Sequence, residues 1–166
     1  MTTFGNGKYM LIEFPLNLMP DSQKQQLFDL RMSGVIPVIA HPERYLSIQR
    51  KPELVLNWLD AGCIIQVDAG SVLGYLGSKA QETSEIIIKN SWCQVIASDA
   101  HDDKKRNFCM KDAHGLIKSW IGEQAMKLFK ENPYAIINGL NFKFEYDHQY
   151  QTKYSFKQWM KSKIGL

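Results

Sequence analysis

The sequence predicts an α/β fold of parallel strands joined by helices and laid out as part of a barrel. Three observations carry that prediction. Four short runs rich in Val and Ile recur along the 166 residues, and continuous apolar runs of this length suit strands covered on both faces. Each run ends in polar residues, at Glu13, His41, Asp68 and Asp99. Those ends stand 28, 27 and 31 residues apart, about the length of one strand-plus-helix unit. Strands and helices alternating at a steady period imply a parallel sheet, which places all four polar ends on one rim. In α/β barrels that rim gathers the chemistry.

In chain order, "YMLIEFP" (9–15) is the first strand, ending at Glu13-Phe14-Pro15. A helix is expected over 21–33, with Asp21 or Ser22 as N-cap and Gly34 just past its end. "VIPVIAHP" (35–42) is the second strand, and Pro42 favours an extended backbone at His41. Pro52 opens a helix over 52–61 that sets Leu54, Val55, Trp58 and Leu59 on one face and stops at Gly62. "CIIQVDAG" (63–70) is the third strand, followed by a helix over 78–90. "CQVIASDAH" (93–101) is the fourth. A longer helix is expected over about 110–130, with a short one restarting at Asn132-Pro133. A complete (β/α) barrel takes about 250 residues, so four units and a tail make part of one, or one half that needs a partner.

A hydrophobic content of 45% with 22% charged residues describes a folded domain with a core rather than a disordered chain. The net charge of +3 arises after Asn141, where Lys143, Lys153, Lys157, Lys161 and Lys163 outnumber Glu145 and Asp147. A balanced body with a mildly basic tail lacks the basic stripe that nucleic-acid binding needs. Cys63, Cys93 and Cys109 are odd in number and widely spaced, as reduced thiols of a cytoplasmic protein are. No run approaches the ~20 apolar residues of a membrane span, and the start lacks the apolar core of a signal peptide.

Asp99 and His101 are two apart, so on a continuing strand both side chains share one face. A carboxylate beside an imidazole suits a hard-to-borderline divalent cation. Taken alone, the pair reads more simply as a capping carboxylate and a surface imidazole; Glu13 and His41 on the same rim favour the metal. Arg44 follows His41 by three residues, and Arg106 lies just past the fourth strand. Either alone is ordinary for a solvated loop charge. Beside candidate metal ligands the two point to an anionic substrate, because guanidinium presents a planar fork of donors to phosphate. Asp68 reads as an ordinary carboxylate at a helix approach, with a supporting role behind the ligands as the other reading. The glycines of "AGSVLGYLGS" match no phosphate-binding loop. No Cys has Arg six positions later, which excludes a C-x5-R phosphatase, and no G-x-S-x-G elbow occurs.

"LIEFP", "IPVIAHPERY", "IIQVDAGSVLGYLGSKA", "VIASDAHDDKKR" and "ENPYAII", in this order, resemble the bacterial PHP-domain (polymerase and histidinol phosphatase) protein-tyrosine phosphatases of exopolysaccharide and capsule operons. The resemblance runs from about Tyr9 to Ile137. It implies part of a distorted (β/α)7 PHP barrel holding three divalent metals, often manganese, with iron, zinc or cobalt as alternatives. It implies metal ligation by Glu13, His41, Asp99 and His101, and phosphate binding with transition-state stabilisation by Arg44 and Arg106. The implied substrate is a phosphotyrosine protein, a tyrosine kinase of polysaccharide export, with the membrane met only through that kinase. The family begins with an H-x-H strand that has no counterpart here. Residues 1–140 are therefore expected to be the C-terminal portion of the barrel, with 141–166 a basic aromatic tail. A separate N-terminal half-barrel polypeptide is then a possible partner. The rival expectations are a catalytically incomplete remnant that binds metal or a partner, and a histidinol-phosphate phosphatase.

Overall fold

In a computed structural model, described for residues 3–20, 22–101 and 108–141, the four apolar runs form one parallel sheet in the order β1-β2-β3-β4. The strands are β1 (Tyr9–Ile12), β2 (Ile36–Ala40), β3 (Ile64–Asp68) and β4 (Val95–Ala97). Each is shorter than its apolar run, because the chain turns away as soon as the polar residues arrive. Register is set by pairs such as Leu11↔Val38, Val38↔Ile64 and Val67↔Ile96.

Successive side chains on a strand point to opposite faces, and the core divides accordingly. On one face Ile39, Ile65, Val67 and Ile96 pack against Trp58, Ile87 and other helical side chains. On the other, Tyr9, Val38, Ile64 and Val95 meet Ile136. Both faces are used, which is why the strands read as continuous apolar runs rather than alternating ones. Coverage of the second face is partial: Leu11 is 51% exposed.

Helices fill the crossovers. The first, α1 (Gln23–Met32), ends at Ser33 and is followed by Gly34 at φ +86°, the left-handed exit that glycine permits. Ser22 stands at its N-cap position without a side-chain capping bond; Asp21 lies outside the described residues. The expected helix over 52–61 divides into a 3₁₀ turn (Pro52–Val55) and α3 (Leu56–Asp60). Before it, α2 (Leu46–Arg50) was not anticipated. A short α4 (Ala69–Val72) follows β3 directly, and α5 spans Ser78–Lys89.

The C-terminal helices depart from expectation. The first, α6 (Met110–Met126), is kinked at Gly122, whose φ is +81° and ψ 170°. The second, α7 (Leu128–Ile137), begins before the predicted restart and carries Pro133 inside it. Proline there removes one intrahelical bond. Tertiary contacts hold the segment nonetheless: Asn132 Nδ2 donates to Gln94 O at 2.9 Å, and Gln94 Oε1 accepts from Ile65 N at 2.9 Å. At the end of α7, Tyr9 OH donates to Leu140 O at 2.6 Å and Lys8 Nζ to Gly139 O at 3.1 Å.

Candidate metal and phosphate site

Parallel pairing decides which residues meet. With Ile12 opposite Ile39, Ala40 opposite Gln66 and Asp68 opposite Ala97, all four strands finish at one edge. Glu13, His41, Asp68 and Asp99 leave that edge together. His41 Nε2 lies 3.2 Å from Glu13 Oε1 and 4.0 Å from Asp99 Oδ2. Two donors on one cation, each bonded at about 2.0–2.2 Å, stand roughly 3 Å apart, so the Glu13–His41 spacing fits a shared ion. Among the described residues, however, no group of three or more His, Cys, Asp or Glu is arranged to hold a metal. Asp99 Oδ2 is engaged instead by Arg44 Nη1 at 3.0 Å.

His41 and Asp99 both take left-handed backbone, with φ of 34° and 45°. The extended conformation expected at His41 is therefore not formed. Pro42 bars the right-handed helical region for His41, yet a 3₁₀ turn (Pro42–Arg44) starts immediately, with Arg44 N donating to His41 O at 3.0 Å. The left-handed region lets the chain reverse at once. Such backbone costs on the order of 1–3 kcal/mol per non-glycine residue and gathers at functional sites.

Asp99 and His101 do not share a strand face, because β4 stops at Ala97 and Asp99 turns the chain. The His101 ring folds back so that Nδ1 meets Asp99 O at 2.7 Å, and its side chain is 57% exposed. His101 Nδ1 also lies 3.8 Å from Asp99 Oδ1, so the ring borders the group from its exposed side. Arg106 lies outside the described residues.

Burial lowers the pKa of His41, and Arg44 adds to the effect against the opposing pull of Glu13 and Asp99. The neutral imidazole is thus favoured, and a neutral ring has a nitrogen lone pair to offer a cation. Nδ1 of the same ring is buried without a hydrogen-bond partner.

Behind these groups lie Tyr45, Asp68 and Glu43, and of these the sequence disclosed a role for Asp68 alone. Tyr45, buried, accepts from Phe14 N at 3.0 Å and donates to Ala40 O at 2.8 Å. Phe14 follows Glu13 and Ala40 precedes His41, so one phenol ties together the two strand ends that carry them. Asp68, 2% exposed, caps α4 by accepting from Gly70 N at 2.7 Å, as the helix-approach reading expects. Its other oxygen, Oδ2, also faces Arg44 Nη1 at 3.9 Å. Glu43, fully buried, accepts from Asp68 N at 3.1 Å through Oε1. Burial pushes the Glu43 carboxyl up to about 8, so the neutral acid prevails at pH 7. Ser71 Oγ lies beside that carboxyl, but neither it nor Glu43 Oε2 makes a well-formed hydrogen bond. The available signal was the compactness of "HPERY": a single 3₁₀ turn returns Glu43, Arg44 and Tyr45 to the rim that His41 has just left.

The chain is similar to known proteins. The family described as "Capsular polysaccharide synthesis, CpsB/CapC" matches residues 1–138. Tyrosine-protein phosphatase YwqE of Bacillus subtilis is 33% identical over 132 residues, covering 80% of this chain and 52% of YwqE. Tyrosine-protein phosphatase CpsB of Streptococcus pneumoniae is 30% identical over 141 residues, covering 81% and 58%. A solved structure from work on YwqE and CpsB, there called unique metal-dependent tyrosine phosphatases, superposes with a TM-score of 0.81 at 30% identity. That match covers 86% of this chain and 58% of the other. The chain spans about half the length of the curated relatives it matches. With a family match running through every strand and every strand-end residue described above, the chain belongs to the CpsB/CapC family of capsular polysaccharide synthesis.

Proposed function

We propose that this chain carries part of the active site of a metal-dependent protein-tyrosine phosphatase that acts on a bacterial tyrosine kinase controlling capsule or exopolysaccharide synthesis. The observation that carries the reading is the convergence of Glu13, His41, Asp99 and Arg44 at one sheet edge, each within 4.0 Å of another. Glu13, His41 and Asp99, with His101 adjoining, would hold divalent cations, manganese first among them. Bound there, such cations supply Lewis acidity toward a phosphoryl oxygen and lower the pKa of water.

The chain's own residues do the rest. Arg44 binds the phosphate oxygens and neutralises charge as it redistributes in the transition state; Arg106 is assigned the same work. Tyr45 keeps Glu13 and His41 at a fixed separation. The departing phenolate has a conjugate-acid pKa of about 10 and needs modest help to leave.

Residues 1–140 are read as the C-terminal portion of a PHP barrel and 141–166 as a tail. Two features support further strands from an N-terminal half, on the same or another polypeptide. β1 is an edge strand, and Leu11 within it is half exposed. A cytoplasmic protein that meets the membrane only through its kinase substrate fits this reading; no helix among the described residues is long and apolar enough to cross a membrane.

A second reading, a remnant that binds metal or a partner without turnover, is favoured by the lack of a ready three-ligand group among the described residues. Manganese stoichiometry and phosphotyrosine-peptide turnover, measured on the 166-residue chain with and without chelator, separate the two. Turnover abolished by chelator and restored by manganese is expected from the first reading. Stoichiometric metal binding without turnover establishes the second.

A further inference from the structure

Two carboxyl groups lie buried directly behind Arg44, and burying an acid is costly unless something repays its lost hydration. Asp68 spends Oδ1 on Gly70 N, which is helix capping. That leaves Oδ2, 3.9 Å from Arg44 Nη1, unexplained by the cap. Glu43 spends Oε1 on the backbone N–H of Asp68, fixing the residue from beneath. Asp68 is thereby held at three points, namely its strand, its cap and its own amide.

Asp99 is nearer to Arg44, at 3.0 Å, but a less permanent anchor. It sits past the end of β4 on left-handed backbone, and its Oδ2 also lies 4.0 Å from His41 Nε2. Any cation recruited by His41 and Asp99 competes with the guanidinium for that oxygen.

We propose that Asp68, fixed by Glu43, is the positioning residue that holds the Arg44 guanidinium in place to receive a phosphate group. The assignment rests on the phosphatase reading for the identity of the anion, but the mount itself is a property of the free chain. Asp68 and Asp99 both face Nη1 of Arg44, so the remaining N–H donors of the guanidinium are left to meet phosphate oxygens. Preorganisation of this kind raises affinity by removing the cost of ordering a long side chain at the moment of binding.

The test uses the metal-free 166-residue chain and two readouts: the NMR order parameter of the Arg44 Nε–H group, and titration with inorganic phosphate. Asp68→Asn keeps a carbonyl to cap Gly70 N and removes the charge facing Arg44. Loss of a negative charge beside an anion site would by itself tighten phosphate binding. The positioning role predicts the opposite: a mobile Arg44 signal and phosphate affinity about tenfold weaker, with no such weakening in an Arg44→Ala background. Unchanged Arg44 order, or tighter phosphate binding, overturns the proposal. Asp99→Asn is the second variant, on a loop rather than in the core. Arg44 stays ordered in it if Asp68 is the mount, and loss of order there assigns the role to Asp99 and overturns the proposal independently. A wild-type chain that binds no phosphate would count against the phosphatase reading alone, since the Arg44 signal still decides the part played by Asp68.

Discussion

At the scale of single residues, the site is governed by polar groups that burial leaves with few partners. Tyr45 joins Phe14 N and Ala40 O through one hydroxyl. In Tyr45→Phe both backbone groups lose their partner, so the fold should lose about 1–3 kcal/mol. Manganese affinity should fall with it, because Glu13 and His41 are no longer held at a common spacing. Denaturant melts and calorimetric titration check the two effects, and unaltered metal affinity in a destabilised variant would reduce Tyr45 to a packing residue. Glu43 allows a prediction in pH. Its carboxyl titrates at about 8 in the folded protein against 4.5 for an unperturbed group. Between those values the folded state binds a proton that the unfolded state has released, so this group makes stability decline as pH rises from about 4.5 to 8. Glu43→Gln removes that contribution. Unfolding free energies measured at pH 5 and pH 8 should differ less in the variant than in the wild type; parallel profiles would show that Glu43 is ionised throughout.

At the scale of elements, the sequence disclosed the strands and the helices that follow them, but not the joints. Ile39, Ile65 and Ile96 lie in runs apolar enough to be recognised without any partner being known, because both faces of this parallel sheet carry packed side chains. The 3₁₀ turn at Pro42–Arg44 was hidden, since the rule for a residue before proline leaves the rare left-handed alternative at His41 to be decided by contacts. The kink at Gly122 and the helical Pro133 were likewise hidden: local propensity argues for breaks whose positions the packing of α6 and α7 then settles. The hairpin before β1 shows how close such packing is. Gly5 has φ +61°, and a Cβ there would collide with Ile136 O, while one on Gly139 would collide with Gly5 O. Gly5→Ala should therefore cost about 1–3 kcal/mol from the left-handed backbone and the clash. It should also release the end of α7 from Tyr9 and Lys8. Thermal melts together with amide exchange at Leu140, whose N–H donates to Ala135 O at 2.8 Å, report both; a melt equal to wild type would mean that the hairpin and helix dock loosely.

For the whole molecule, the period of 27 to 31 residues between polar strand ends was enough to specify four parallel strands and one shared rim. The reason is geometric: a chain that must cross back before each new strand delivers every strand end to the same side. The same sequence correctly named Glu13, His41, Asp99 and Arg44 as neighbours, since each needs only its place at the rim to be found. It put His101 on the strand face of Asp99, but β4 stops at Ala97 and the ring reaches Asp99 from the loop instead. It read Asp68 as a helix-approach carboxylate, which its cap on α4 matches, and passed over Glu43 and Tyr45, whose partners lie on other strands or on their turns. What the sequence alone determined is the order, direction and polarity of the strands, which follow from hydrophobic run length and chain connectivity. Only the tertiary structure decided which oxygen faces which nitrogen across the rim, because hydrogen-bond partners 25 to 55 residues apart are chosen by strand register and side-chain packing, and neither leaves a local mark in the chain.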